Sequence, residues 1–353
     1  MTRDRDAHAT SPRSVSVLGA GAWGTTLAIL AAEAGQRVTL VAHRESTASH
    51  LQRFQSHPTS LPGILIPPSI EIAHIGQHLL HKADIAIVAV PTQKLRRSLE
   101  QVADILRDKV VVSAVKGLEL GTLLRPSEVI ASVVGAATRI AVLSGPNLSS
   151  EIAMGRPATT VLASSPAELA DNLVELFHSR RFRVYVSDDV IGVEFGGALK
   201  NIIAIGAGIA DGLEAGDNAK AAFMTRGIAE ITRLGVACGA RPLTFAGLSG
   251  IGDLMATCES PLSRNYRVGF ALSQGTPLAD ILESMHEVAE GVATTNAARE
   301  LARRRGVDLP IVNQMYRVLF EGASPSEAIE RLMERDPKHE LRDFAPGLSD
   351  HES

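Results

Sequence analysis

The tightest constraint lies near the start of the chain. Gly19-Ala20-Gly21-Ala22-Trp23-Gly24 sits between a β-branched run, Val15-Ser-Val-Leu18, and an apolar stretch with helical spacing, Thr25 to Ala34. Glycines at this spacing in a strand-to-helix turn form a dinucleotide fingerprint. Gly19 permits the tight turn, Gly21 lets the backbone approach a pyrophosphate, and Gly24 lets helix and strand pack closely. The helix start then offers unpaired N–H groups and a partial positive charge to phosphate. A chain carrying this turn is expected to build an open α/β sheet around it.

Further short runs support that sheet. Arg37 to Val41, Ile85 to Val90, Val110 to Ser113 and Ile140 to Leu143 are near-continuously apolar, as expected of parallel strands covered on both faces. Helical segments such as Gln93 to Leu106 lie between them, which implies right-handed crossovers. Thr159 to Leu162 and Arg183 to Val186 are expected to extend the sheet. After about Asp189 the strand signal ends, and Ala219 to Cys238, Pro277 to Glu290, Thr294 to Arg305 and Pro325 to Arg335 read as helices. A length of 353 residues suits two domains. The expected fold class is therefore an α/β, Rossmann-type dinucleotide-binding domain over 13–189, then an all-α substrate domain over 190–345. Polar tails at 1–12 and 346–353 flank them.

Bulk properties narrow the partners. A net charge of −4 gives no overall pull toward nucleic acid, so any bound phosphate must be held by local groups. The two cysteines, Cys238 and Cys258, have no Cys-x-x-Cys spacing and no His at ligand distance, which argues for reduced thiols and against a metal site. Residues 1–12 lack the apolar run of a secretory signal. Ile191 to Ala210 has the length of a membrane span, but Glu194, Lys200 and Asn201 interrupt it, and its glycines point to close internal packing. We expect a soluble, cytoplasmic protein without a membrane span. A homodimer is the candidate assembly.

The end of the second strand should carry the ribose-selecting residue. An acid there would bond the 2′-hydroxyl of NAD. The chain instead reads Ala42-His43-Arg44-Glu45, a basic pair able to accept a 2′-phosphate. NADPH, NADH or both are the expected coenzymes, with Arg44 and His43 placed to accept NADPH.

Four segments mix charged or amide groups with glycine in apolar surroundings. Lys116, in Ser113-Ala-Val-Lys-Gly-Leu-Glu119, follows a predicted strand, where ligands of open sheets bind. Gly145 and Asn147, in Ser144-Gly-Pro-Asn147, also lie just beyond a strand, although a plain Gly-Pro turn would look the same. Lys200 and Asn201 lie in Glu194-Phe-Gly-Gly-Ala-Leu-Lys-Asn201, and a buried lysine needs either a partner or a wet cleft. Such a lysine is an acid/base candidate. Gly196, Gly197, Gly206 and Gly208 each cost a helix about 1 kcal/mol relative to Ala, so something should pack closely against it. The fourth segment, Gly250-Ile-Gly-Asp253, precedes Thr257 and Ser263-Arg264-Asn265, where Arg264 offers a fork for phosphate. Asp253 could equally be an N-cap.

Taken together, Gly19 to Thr25, Lys116-Gly-Leu-Glu, Ser144-Gly-Pro, Gly196 to Gly208, Gly250-Ile-Gly-Asp-Leu and Ser263-Arg-Asn resemble the bacterial-type NAD(P)-dependent glycerol-3-phosphate dehydrogenases, from about Val15 to Arg335. The resemblance implies reduction of dihydroxyacetone phosphate to sn-glycerol 3-phosphate, the backbone of phospholipids, in a cleft between the two domains. By position it implies proton transfer at Lys200, and substrate contacts at Lys116, Gly145, Asp253, Ser263, Arg264 and Asn265. It implies coenzyme contacts at Ala22, Trp23, His43, Arg264, Val288 and Glu290. By the same positions it implies a substrate contact at Asn147, where Thr or Ser is common in the family, and a coenzyme contact at Ser149, where Ala is common. Two alternatives stay open: another hydroxyacid or phosphogluconate dehydrogenase, and a nucleotide-binding redox sensor without catalysis.

Overall fold

Successive residues of the apolar runs face opposite ways. Val17, Leu40, Ile87 and Val112 enter one buried cluster, while Leu18, Val41, Val88 and Val111 enter another. This two-residue period buries both faces of one sheet. In the computed structural model, which describes residues 11–57, 59–76, 81–285 and 287–335, the strands are β1 (Ser14–Leu18), β2 (Arg37–Ala42), β3 (Ser56–His57), β4 (Leu61–Leu65), β5 (Glu71–His74), β6 (Ile85–Val88), β7 (Val110–Ser113), β8 (Arg139–Ser144), β9 (Ala158–Ser164) and β10 (Phe182–Ser187). Eight of them form a sheet in the order β10-β9-β8-β7-β6-β1-β2-β5, while β3 and β4 pair separately. The strand order reverses between β1 and β6, so the glycine turn after β1 opens at the switch point where such sheets bind ligands.

The pairings from β5 through β8 are parallel, but β9 runs antiparallel to β8, and β10 follows β9. The expected extension of the sheet is present with its direction reversed. The link from β8 to β9 carries only a five-residue helix, Ser149–Ala153, and the chain turns back along β8 instead of crossing the sheet. The segment Gln93 to Leu106 divides into helices Thr92–Glu100 and Ala103–Leu106. The stretch Pro277 to Glu290 stops at Ser284, and Glu290 begins the next helix. The sequence reading missed the edge strand β5 and the helices Glu45–Phe54, Pro126–Val134 and Arg264–Ser273. The expected tails lie outside the described residues, apart from Ser11 and Pro12, which are exposed.

Beyond β10 every regular element among the described residues is helical. The central one is Val190–Gly212, whose first turn is capped by the Asp189 carboxylate accepting the Gly192 N–H at 2.9 Å. By length and composition this helix could cross a membrane, yet 89% of its most apolar window is buried inside the protein. Its glycines make that packing possible. A side chain at Gly196 would collide with the Ser249 carbonyl, and one at Gly208 with the Tyr266 carbonyl. Buried Glu194 accepts the Ser127 N–H at 2.8 Å and pairs with Arg125 at 2.5 Å, tying this helix to Pro126–Val134 beside the sheet. Lys200 and Asn201 are thereby held at a fixed height against the carboxyl edge of the strands.

Candidate active site

The parallel strands β1, β6, β7 and β8 end on one edge of the sheet, and each delivers a segment to the same cleft. After β1, the Gly19 N–H donates to the Val41 carbonyl at 2.9 Å, and a side chain at Gly19 would strike the Ala89 carbonyl. Gly24 packs against Gly19 in the same way, whereas the space above Gly21 is open except for one oxygen of Glu287. The turn feeds helix Ala22–Glu33, whose N-cap Gly21 has no side chain to meet its first N–H groups; that of Ala22 donates to Glu287 at 3.3 Å. Among the described residues, Trp23 Nε1, the Thr25 hydroxyl and Glu290 Oε2 are buried here without hydrogen-bond partners. Orphaned donors and acceptors around an open glycine turn fit a polar dinucleotide.

Glu290 begins its helix and accepts the Thr92 N–H at 2.9 Å through its other oxygen, with burial raising its pKa. Val288 is exposed on the loop just before it. His43 and Arg44 are exposed immediately beyond β2. Ser149 starts its short helix, and its carbonyl accepts the Thr26 hydroxyl at 3.2 Å.

After β7, Lys116 stretches toward two acceptors, the Gly145 carbonyl at 2.9 Å and Asp253 Oδ2 at 2.7 Å. Gly117 (φ +152°) makes this turn, tight against Thr92, whose hydroxyl donates to the Lys116 carbonyl at 3.1 Å. Gly145 also has positive φ and lies over the backbone of Thr160. Asn147 braces the same loop, donating to the Thr159 carbonyl and accepting from the Thr160 hydroxyl, each at 3.1 Å. One amide hydrogen of Asn147 is left over.

The helical half supplies the opposite wall. Asp253 is not an N-cap; it is the first residue of helix Asp253–Glu259, which follows a π-helical turn at Leu248–Gly252. Such turns recur at functional sites because they re-aim a side chain. Its carboxylate, 1% exposed, pairs with Lys200 through Oδ1 and with Lys116 through Oδ2. Lys200 also donates to the Thr257 hydroxyl at 2.6 Å. Burial lowers the Lys200 pKa to about 8; Asp253 opposes the shift and the charge of Lys116 adds to it. A lysine in this range both holds and releases a proton near neutral pH.

Ser263 caps helix Arg264–Ser273, its hydroxyl accepting the Tyr266 N–H at 3.3 Å. Asn265 donates to Asn201 at 2.9 Å and accepts the Gly291 N–H at 2.9 Å, so this amide first serves to join three helices. Arg264, by contrast, is part-exposed, and it pairs with Glu287 at 3.2 Å. Sequence reasoning missed Thr92 and Glu287. Thr92 follows β6 just as Lys116 follows β7, so the strand-end rule could have flagged it.

A nucleotide-type glycine turn at a switch point, facing a buried amine–carboxylate–amine set, defines a nicotinamide-dependent dehydrogenase. The comparisons agree with this assignment. Residues 14–170 match the family model for the NAD-dependent glycerol-3-phosphate dehydrogenase N-terminus, and residues 189–330 match that for its C-terminus. The glycerol-3-phosphate dehydrogenase [NAD(P)+] of Prosthecochloris aestuarii is 48% identical over 93% of this chain and 99% of its own. That of Streptomyces griseus is 46% identical over 94% and 100%. The crystal structure of glycerol-3-phosphate dehydrogenase from Coxiella burnetii superposes with a TM-score of 0.88 at 34% identity, covering 92% of this chain and 99% of that one. The chain belongs to the NAD-dependent glycerol-3-phosphate dehydrogenase family.

Proposed function

We infer that this protein reduces dihydroxyacetone phosphate to sn-glycerol 3-phosphate, reversibly, with NADH or NADPH. The observation that carries this is the single buried carboxylate of Asp253, which holds Lys200 and Lys116 side by side at the sheet's carboxyl edge. When bound, the nicotinamide supplies the hydride for the ketone carbon. Negative charge then grows on the carbonyl oxygen and needs a proton and nearby positive charge. Lys200 gives that proton, and takes it back in the reverse direction. Lys116, anchored to Gly145 and Asp253, polarises the same oxygen. Thr257 and Asp253 hold Lys200 in one rotamer.

Arg264, with Ser263 and the remaining amide hydrogen of Asn265, grips the distant phosphate. Its binding energy orients the carbonyl. Gly145 and Asn147 line the substrate side, Asn147 chiefly bracing the loop, and Asn201 sets the position of Asn265. Gly19, Gly21, Ala22, Trp23 and Gly24 hold the pyrophosphate, and His43 and Arg44 meet the adenosine ribose. Lys116, Ser149, Arg264, Val288 and Glu290 complete the coenzyme contacts. The dinucleotide-binding unit spans 13–189 and the substrate unit 190–345. The product feeds glycerophospholipid synthesis in the cytoplasm, and a homodimer is the assembly we propose.

The test is a rate measurement with dihydroxyacetone phosphate and each of NADH and NADPH, followed by absorbance. Turnover with this substrate, and none with hydroxyacids or phosphogluconate, supports the assignment. Saturable coenzyme binding without turnover on any substrate would replace it with the sensor alternative.

A further inference from the structure

Between helices Leu278–Ser284 and Glu290–Arg305, Glu287 reaches across the cleft to the glycine turn. Glu287 Oε1 accepts the backbone N–H of Ala22, the first residue of helix Ala22–Glu33, at 3.3 Å. The same oxygen lies 4.0 Å from where a Cβ on Gly21 would stand, above the open face of that glycine. Glu287 Oε2 pairs with Arg264 at 3.2 Å. The carboxylate also acts electrostatically on half-buried His57, raising its pKa against the larger lowering by burial. One side chain thus occupies the anion seat of the helix N-terminus while engaging the arginine assigned to the substrate phosphate.

We propose that Glu287 is a built-in competitor for the coenzyme pyrophosphate, so that coenzyme arrival expels it from Ala22 and frees Arg264 for the substrate. This rests on the coenzyme seat proposed above. A carboxylate at a helix N-terminus takes the partial positive charge that a phosphate would take, and the two anions repel if both remain. The Glu287–Arg264 pair is suited to exchange, being 27% and 38% exposed and therefore weakly held. A carboxylate whose two oxygens engage one group from each ligand seat couples the seats by linkage: whatever displaces Glu287 for one ligand raises affinity for the other.

The experiment titrates NADH into the full-length protein, reading nicotinamide fluorescence, for the parent, Glu287→Gln and Glu287→Ala. Both variants should bind NADH about 3- to 10-fold more tightly. A second titration follows sn-glycerol 3-phosphate by calorimetry, with and without saturating NADH, a pair of reduced ligands that cannot turn over. The parent should gain affinity for it when coenzyme is present, and that gain should shrink in both variants because Arg264 is already free. Unchanged or weaker NADH binding in the variants overturns the proposal; weaker binding would make Glu287 a coenzyme ligand. If the parent itself fails to bind NADH, the coenzyme seat is what fails. Unchanged thermal melting of the variants separates either result from misfolding.

Discussion

Lys116 and Asp253 stand 137 positions apart in the chain, and their side chains meet at 2.7 Å. The contact crosses from the end of a sheet strand to the start of a helix in the other half, and it places two cationic nitrogens on one buried carboxylate. Proton chemistry at Lys200 depends on that arrangement, since burial alone would drive the amine toward its neutral form.

Replacing Lys200 with Ala should lower kcat by roughly 10²–10⁴-fold, the usual contribution of a positioned proton donor. Circular dichroism would confirm folding. Because the ketone must receive a proton, the reduction rate in the parent should decline as pH rises through about 8, where the buried amine loses its proton. The oxidation rate should rise over the same interval. A reduction profile flat from pH 6 to 9, with chemistry shown to be rate-limiting, removes the assignment.

Asp253→Asn keeps the shape and removes the charge that opposes the loss of the Lys200 proton. The falling limb of the reduction profile should therefore move below pH 8, together with a drop in kcat. Leaving buried charges unpaired costs about 3–5 kcal/mol, so the melting temperature should fall as well. An unmoved limb would show that Asp253 does not tune Lys200.

Arg264→Ala should raise KM for dihydroxyacetone phosphate about 10- to 100-fold, the worth of a charge-assisted hydrogen bond to phosphate, with a smaller effect on kcat. Steady-state kinetics at saturating coenzyme decide the matter, and an unchanged KM excludes phosphate gripping.

Arg44→Ala should lower the ratio of kcat/KM for NADPH over NADH about tenfold, because the exposed guanidinium beyond β2 would no longer meet a 2′-phosphate. Equal ratios in the variant and the parent would locate coenzyme choice elsewhere.

Buried Glu230 accepts the N–H groups of Ile311 and Val312 at 2.7 and 3.3 Å, yet burial raises its pKa to about 7. The folded state thus binds more protons than the unfolded state between the ordinary carboxyl value of 4.5 and about 7. The stability Glu230 contributes is present in acid and lost as pH rises through 7, by about 1–3 kcal/mol. Glu230→Gln should flatten this part of the stability–pH curve in urea titrations; an unaltered slope would assign the dependence to other groups.

The glycine turn, the alternating strands and the lysine in an apolar run could all be read directly from the residues, because each depends on local geometry: turn conformation, pleat period, the cost of burying charge. Reversal of β9 could not be read in this way, since an antiparallel strand and a parallel one carry the same short apolar run. Nor could Glu287 be singled out from its neighbours, as its partners Ala22 and Arg264 lie 265 and 23 positions away. The sequence by itself determined which groups are available and which elements carry them. Only the tertiary structure decided that Asp253 faces two lysines instead of capping its own helix, and that Asn265 binds Asn201. Those outcomes follow from how the long glycine-bearing helix docks against the strand ends, and docking is a sum of contacts between distant segments that no local pattern encodes.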